Sequence, residues 1–251
     1  MDEPPIDNSR QSLVAHLLEL RRRTLHSLAA IGLIFLCLCA FAGQIYEHLS
    51  APLRAALPAG SGMIATDVIS PFTAPLKVTF FVSVLFAMPY ILHQTWAFIA
   101  PGLYRREKAF ALPLFASSVV LFYAGAAFAY FIIIRLISSF IVQIAPDSIA
   151  LMTDINSYLS FALKLFFAFG LAFEIPIATV LLVKAGLAST RSLAAKRPYI
   201  IVGCFVLGML LTPPDVFSQL FLATPMWALF ELGLLFARLV ERPTKAPESD
   251  A

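Results

Sequence analysis

Charge is in short supply along this chain: Asp, Glu, Lys and Arg together make up 13% of its 251 residues, about half the share found in soluble domains. A chain that is 60% hydrophobic and carries 23 Phe lacks the polar surface a water-soluble fold needs, so an integral membrane protein is implied. The few cations sit at the ends of apolar runs and form no single patch, which argues against a nucleic-acid surface. Cysteine is nearly as scarce. Cys37, Cys39 and Cys204 all fall inside apolar runs, which argues against a disulfide framework and leaves packing as their expected role. Catalytic signatures are missing too: there is no His-Glu-x-x-His, no Gly-x-Ser-x-Gly and no phosphate-cradling glycine loop. His26 and His93 read as packed or surface residues rather than as haem ligands. No enzyme activity, metal or cofactor is expected.

What the chain does have is apolar length. Six runs, 25–43, 76–99, 110–134, 158–183, 199–211 and 216–237, predict an all-α polytopic membrane protein with six transmembrane helices, the last two of them short. The run 199–211, at about 13 residues or roughly 20 Å, does not match hydrocarbon about 30 Å thick. Residues 1–24 read as an N-terminal segment without cleavable signal architecture, amphipathic over 12–23 where Leu13, Leu17 and Leu20 recur at helical spacing. Residues 25–240 form the transmembrane domain, and 241–251 a Pro-, Lys- and Glu-rich disordered tail. Segments 44–75 and 135–157 read as loops on one side, the first with a short surface helix over 45–57. Pro89 and Pro113 are expected to kink their helices.

Between the second and third runs lies a charged island, Phe98-Ile-Ala-Pro-Gly-Leu-Tyr-Arg-Arg-Glu-Lys108, read as a loop in which Pro101-Gly102 ends the preceding helix. A second island, 184–198, carries Lys184, Arg191, Lys196 and Arg197 and no acid. With the N-terminal segment, the tail and Arg238 just before it, these islands hold 14 of the 18 Lys and Arg residues. The positive-inside rule therefore places both islands and both termini in the cytoplasm. Inside the apolar runs, Glu174 is costly to bury and marks either a helix-locking carboxyl or a groove that receives a polar segment. Lys164 is shallower and can snorkel. A secondary transporter of a small solute would also explain six spans and a buried acid, but such folds show internal repeats, and none is visible.

Several segments carry a resemblance that composition does not. They are His16-Leu-Leu-Glu-Leu-Arg21, Phe98-Ile-Ala-Pro-Gly-Leu-Tyr104 with Glu107, Ser160-Phe161, Phe173-Glu-Ile-Pro176, Lys196-Arg-Pro-Tyr199 and Leu211-Thr-Pro-Pro-Asp-Val-Phe-Ser-Gln219. In this order and topology the chain resembles, over nearly its whole length, the TatC subunit family of the twin-arginine protein translocase. The resemblance implies a multi-pass protein of the bacterial inner membrane that binds twin-arginine signal peptides of folded cargo. It further implies recruitment of single-span partners of the TatA and TatB type, assembly of several copies in a receptor complex, and export driven by the transmembrane proton gradient. By the same resemblance, Phe98 and Glu107 help form the signal-peptide site, with Glu19 in the same region. Two guanidiniums call for ionised carboxylates, and Arg pairs with them bidentately where Lys cannot. Arg21, Tyr104 and Arg105 complete the expected site, with Arg21, Arg105 and Arg106 holding its acids ionised. Met209, Thr212, Asp215 and Gln219 are the expected contacts for the partner subunits. Lys164 matches no family element.

Overall fold

The computed structural model describes residues 8–56, 63–103, 108–144, 153–211 and 216–241. Helix dominates them. In chain order they form α1 (Asn8–Leu38), a 3-10 turn (Cys39–Phe41), α2 (Ala42–Ala56), β1 (Met63–Ile64), α3 (Ser70–Leu103), α4 (Lys108–Phe128), a π turn (Ala129–Ile133) and α5 (Ile134–Ile144). There follow β2 (Thr153–Asp154), α6 (Ile155–Ala172), α7 (Ile175–Lys184), α8 (Thr190–Ala195), α9 (Arg197–Leu211) and α10 (Val216–Val240). Among the described residues, five runs are long and apolar enough to cross a membrane: Leu17–Ala51, Ser70–Phe98, Leu112–Phe140, Ile155–Lys184 and Val216–Val240. The fold is that of a polytopic helical membrane protein.

The chain divides into two compact units, each built from two stretches. The first comprises residues 1–49 and 67–119. Its framework is α1 against α3, held in antiparallel register by an Arg23–Gln94 hydrogen bond and, farther along, by an edge-to-face contact of Phe35 and Phe80 with centroids 5.9 Å apart. One side of α3 is buried at Ala74, Val78, Ala87, Met88, Leu92 and Trp96, positions that recur at helical spacing. The entry to α3 is earlier than position 76. Backbone carbonyls of Asp67 and Ile69 accept from Ser70, Phe72 and Thr73, and Pro71 falls in the first turn, where a missing N–H breaks no helical bond. The exit is later than expected. Pro101-Gly102 does not stop α3, which runs through them to Leu103, because a proline this close to the end forfeits one backbone bond and the next residues complete the turn.

The second unit comprises residues 50–66 and 120–251. The third run continues past 134, since the π turn at 129–133 leads straight into α5, and so the start of the expected 135–157 loop is helix to Ile144. The π turn inserts an extra residue into the helical repeat. Its effect is that Ala129, Ile133, Ile134 and Ile137 are all buried. Here α4 and α6 approach backbone to side chain. A Cβ on Gly125 would lie 2.4 Å from the Phe169 carbonyl oxygen, and one on Gly170 would lie 2.6 Å from the Phe122 ring. Phe128 fills the same seam against Phe169 and Phe173, at 5.4 and 5.6 Å.

The fourth run is two helices rather than one. Pro176 has no N–H to give the Ala172 carbonyl, so α6 closes with a tight turn in which the Glu174 N–H donates to Leu171 at 3.0 Å, and α7 starts afresh with Pro176 in its first turn. Glu174 stands at that break with its Oε1 shielded from solvent. Helix α10 passes close by: a Cβ on Gly233 would lie 2.8 Å from Pro176 Cα. Of the two helices expected to be short, only α9 is, at 15 residues; α10 has 25, because its apolar pattern runs on through Leu239 and Val240. Arg197 joins α9 as its first residue and donates to Glu231 of α10 at 2.6 Å, while Lys196 caps α8. Glu241 accepts from the Thr190 hydroxyl and, at 3.1 Å, from the Thr190 N–H, which holds its carboxyl below the usual range.

Two segments that link the long helices meet within this unit. β1 and β2 pair in parallel, Met63 with Thr153 and Ile64 with Asp154. Asp154 is also the N-cap of α6, accepting from the Ser157 N–H at 2.8 Å and from the Thr66 hydroxyl at 2.8 Å. Of the cysteines only Cys204 is buried, whereas Cys37 is exposed on α1. The tail beyond residue 241 lies outside the described residues.

Candidate functional site

The amphipathic lead-in and the first transmembrane run are one continuous helix, α1, with no break at residue 24. A helix places residues i and i+4 on one face. Glu19 and Arg23 are such a pair, and they bond: Arg23 Nε and Nη2 both donate to Glu19 Oε1, at 3.0 and 2.5 Å. The remaining terminal nitrogen, Nη1, crosses to α3 and donates to Gln94 Oε1 at 3.1 Å. The side chains of Arg23 and Glu19 are 19% and 35% exposed, so the pair is partly withdrawn from water and keeps a wet edge.

Register does the rest. With Arg23 opposite Gln94 and the helices antiparallel, one turn toward the start of α1 reaches Glu19, and one turn toward the end of α3 reaches Phe98. A carboxylate and a half-buried aromatic ring thus stand at one level on neighbouring helices. Arg21 is exposed on α1, and Arg23, one turn beyond Glu19, bonds to its carboxylate. Tyr104, Arg105, Arg106 and Glu107 lie outside the described residues.

Arg23 and Gln94 were not singled out from the sequence. The signal for Arg23 was its spacing from Glu19, and for Gln94 an amide in an apolar run one turn before Phe98. Such an arrangement can bind cations through the carboxylate and apolar groups through the ring. Among the described residues no cluster of His, Cys, Asp and Glu could hold a metal ion.

The residues expected to meet partner subunits are distributed differently. Met209 is 53% exposed on α9. Gln219 is turned inward, its Nε2 donating to the Phe205 carbonyl at 2.8 Å and its side chain resting where a Cβ on Gly208 would be. Gln219 thereby fastens α10 to α9. Thr212 and Asp215 lie outside the described residues. Lys164 is exposed on α6.

A family model described as "Sec-independent protein translocase protein (TatC)" matches residues 15–225. The chain is 55% identical over 250 residues to a protein of that name from Azotobacter chroococcum mcd 1, covering all of this chain and 98% of the relative. It is also 55% identical over 228 residues to the Escherichia coli (strain K12) protein of that name, covering 91% of this chain and 88% of the relative. Among solved structures, the crystal structure of the "Twin Arginine Translocase Receptor- TatC" superposes with a TM-score of 0.83 at 36% identity, covering 90% of this chain and all of that one. A family model over most of the chain and relatives of this identity and coverage show that the chain belongs to the TatC family.

Proposed function

We propose that this chain is the signal-peptide receptor subunit of a twin-arginine translocase in the bacterial inner membrane. Its role is transport. The observation that carries the reading is the half-buried carboxylate of Glu19 at the level of Phe98 on the adjoining helix. The twin guanidiniums of a signal peptide pair with Glu19 and with Glu107 from the island after α3, and the apolar stretch of the peptide lies along Phe98. Arg21, Tyr104 and Arg105 border this site. Glu174, at the break between α6 and α7, offers a polar position within the membrane for a segment that enters from the same side. Both islands and both termini face the cytoplasm, with α9 as a sixth, short span. Single-span partners of the TatA and TatB type dock along α9 and α10 near Met209, Thr212, Asp215 and Gln219, and several copies assemble in one complex. The chain acts by binding and recruitment, with no catalytic step of its own.

The test is peptide affinity of the purified full chain in detergent. Glu19→Ala and Glu107→Ala should each weaken binding of a twin-arginine peptide by about 1.5–3 kcal/mol, the worth of a hydrogen bond to a charged group. Photocrosslinks from Phe98 should reach the apolar stretch of the peptide. Unchanged affinity in the double variant would refute the assignment. Uptake of a small solute into vesicles carrying the chain alone would favour a transporter instead.

A further inference from the structure

Arg23 stands where a substrate arginine would have to be. We infer that it is an internal ligand of the peptide site, occupying Glu19 until a signal-peptide guanidinium displaces it. This rests on the reading of Glu19 as part of that site.

The geometry is specific. Two nitrogens of the Arg23 guanidinium converge on one oxygen of Glu19, taking up both lone pairs that Oε1 presents in the carboxylate plane. A bidentate pair with a second guanidinium needs both carboxylate oxygens. Peptide arginine and Arg23 therefore cannot both hold Glu19 in that way. The third contact, from Nη1 to Gln94 at 3.1 Å, gives Arg23 a place to remain when it lets go of Glu19. Gln94 accepts through a neutral amide, so it can keep the displaced guanidinium hydrogen-bonded without competing for the carboxylate.

An internal ligand has a calculable effect. If the site is open for only a fraction of the time, every peptide that needs Glu19 binds more weakly by that fraction, whatever its own affinity. An i,i+4 ion pair at a wet helix surface is weak, so the fraction is modest, and its removal tightens binding by about two- to fivefold. Because a guanidinium needs both carboxylate oxygens and a lysine ammonium only one, twin-arginine peptides should gain more than twin-lysine peptides. The pair also shields Glu19 between substrates, so a lone cation from solvent or a passing basic segment meets an occupied acid.

Affinities of twin-arginine and twin-lysine peptides are measured for the full chain in detergent, for Glu19→Gln, Arg23→Gln, Arg23→Lys and Arg22→Gln. The inference expects Arg23→Gln to tighten the twin-arginine peptide, and the twin-lysine peptide less, with Arg23→Lys intermediate. Arg22→Gln removes an equal charge from the exposed neighbour and should give a smaller gain. If Glu19→Gln weakens binding but Arg23→Gln leaves it unchanged or weakens it, Arg23 supports the site and the inference falls while the receptor reading stands. An equal gain from Arg22→Gln would reduce the effect to net charge and overturn it as well. If Glu19→Gln has no effect on binding, the reading of the site itself fails. Should Arg23→Gln not purify as a monodisperse protein, Arg23→Lys decides alone: tighter binding supports the inference, and no gain overturns it.

Discussion

At the scale of single residues, the helices of this protein are fastened where a side chain is missing. Gly125 lies against a backbone carbonyl, Gly170 against the Phe122 ring and Gly233 against Pro176 Cα, each closer than any Cβ could come. Small residues at such crossings bring helices together in lipid, where burial of apolar surface gives no net drive for association. Gly125→Ala should be the most damaging alanine substitution among the described glycines, since the Phe169 carbonyl belongs to α6 and cannot rotate away; a loss of about 1–3 kcal/mol is expected. Gly203 has nothing within 4 Å of its missing Cβ. Gly203→Ala should be neutral or stabilise by about 0.5–1 kcal/mol through helix propensity alone. Thermal unfolding of the two variants in the same detergent tests the contrast, and equal melting temperatures would contradict it.

At the scale of elements, Asp154 joins three structures at once: the start of α6, the β1–β2 pair and Thr66. Hydrogen bonds from Ser157 and then Thr66 lower its pKa from 3.8 to about 2. A depressed carboxyl contributes stability that is complete above its ordinary pKa and is lost as pH falls through the folded one. Amide protection over 63–66 and 153–157 should therefore hold down to about pH 4 and fall toward pH 2, and Asp154→Asn should remove that dependence. Protection that stays level to pH 2 in the parent chain would show that the carboxylate does not hold the clasp. Elements also show how far a sequence can be read. Hydrophobic runs locate the spans because lipid demands continuous apolar length, and Pro176 marks a helix start. The π turn at 129–133 was not legible, since it lies in a seam with a partner distant in the chain, Phe169 against Phe128. Glu19 and Phe98 could be named as site candidates through the resemblance. Their alignment was not, because it depends on the register of α1 against α3, set by Arg23 and Gln94.

At the scale of the whole molecule, α9 is the apolar helix too short to count among the five runs long enough to cross a membrane. Fifteen residues give about 22 Å of helix, against hydrocarbon about 30 Å thick. Arg197 joins the helix and is held by Glu231, which adds a polar end and leaves the apolar length short. The bilayer beside α9 should thin. Spin labels at Asp215, just past α9, and at Asp67, before α3, should differ in access to a membrane-impermeant paramagnetic reagent, with Asp215 the more protected; equal, bulk-like access at both would contradict a sunken turn. The β1–β2 pair has a consequence of another kind, for how the molecule is made. It joins residues 63–64 to 153–154, and both compact units are assembled from stretches separated in the chain. Neither unit can finish when its first stretch leaves the ribosome. Residues 63–66 must wait unpaired while α3, α4 and α5 are made, and the clasp closes only when residue 154 arrives. Its closure is thus a timestamp on biogenesis, set after the third passage of the chain, and a nascent chain arrested before that point carries an open first loop that a protease on that face can cut.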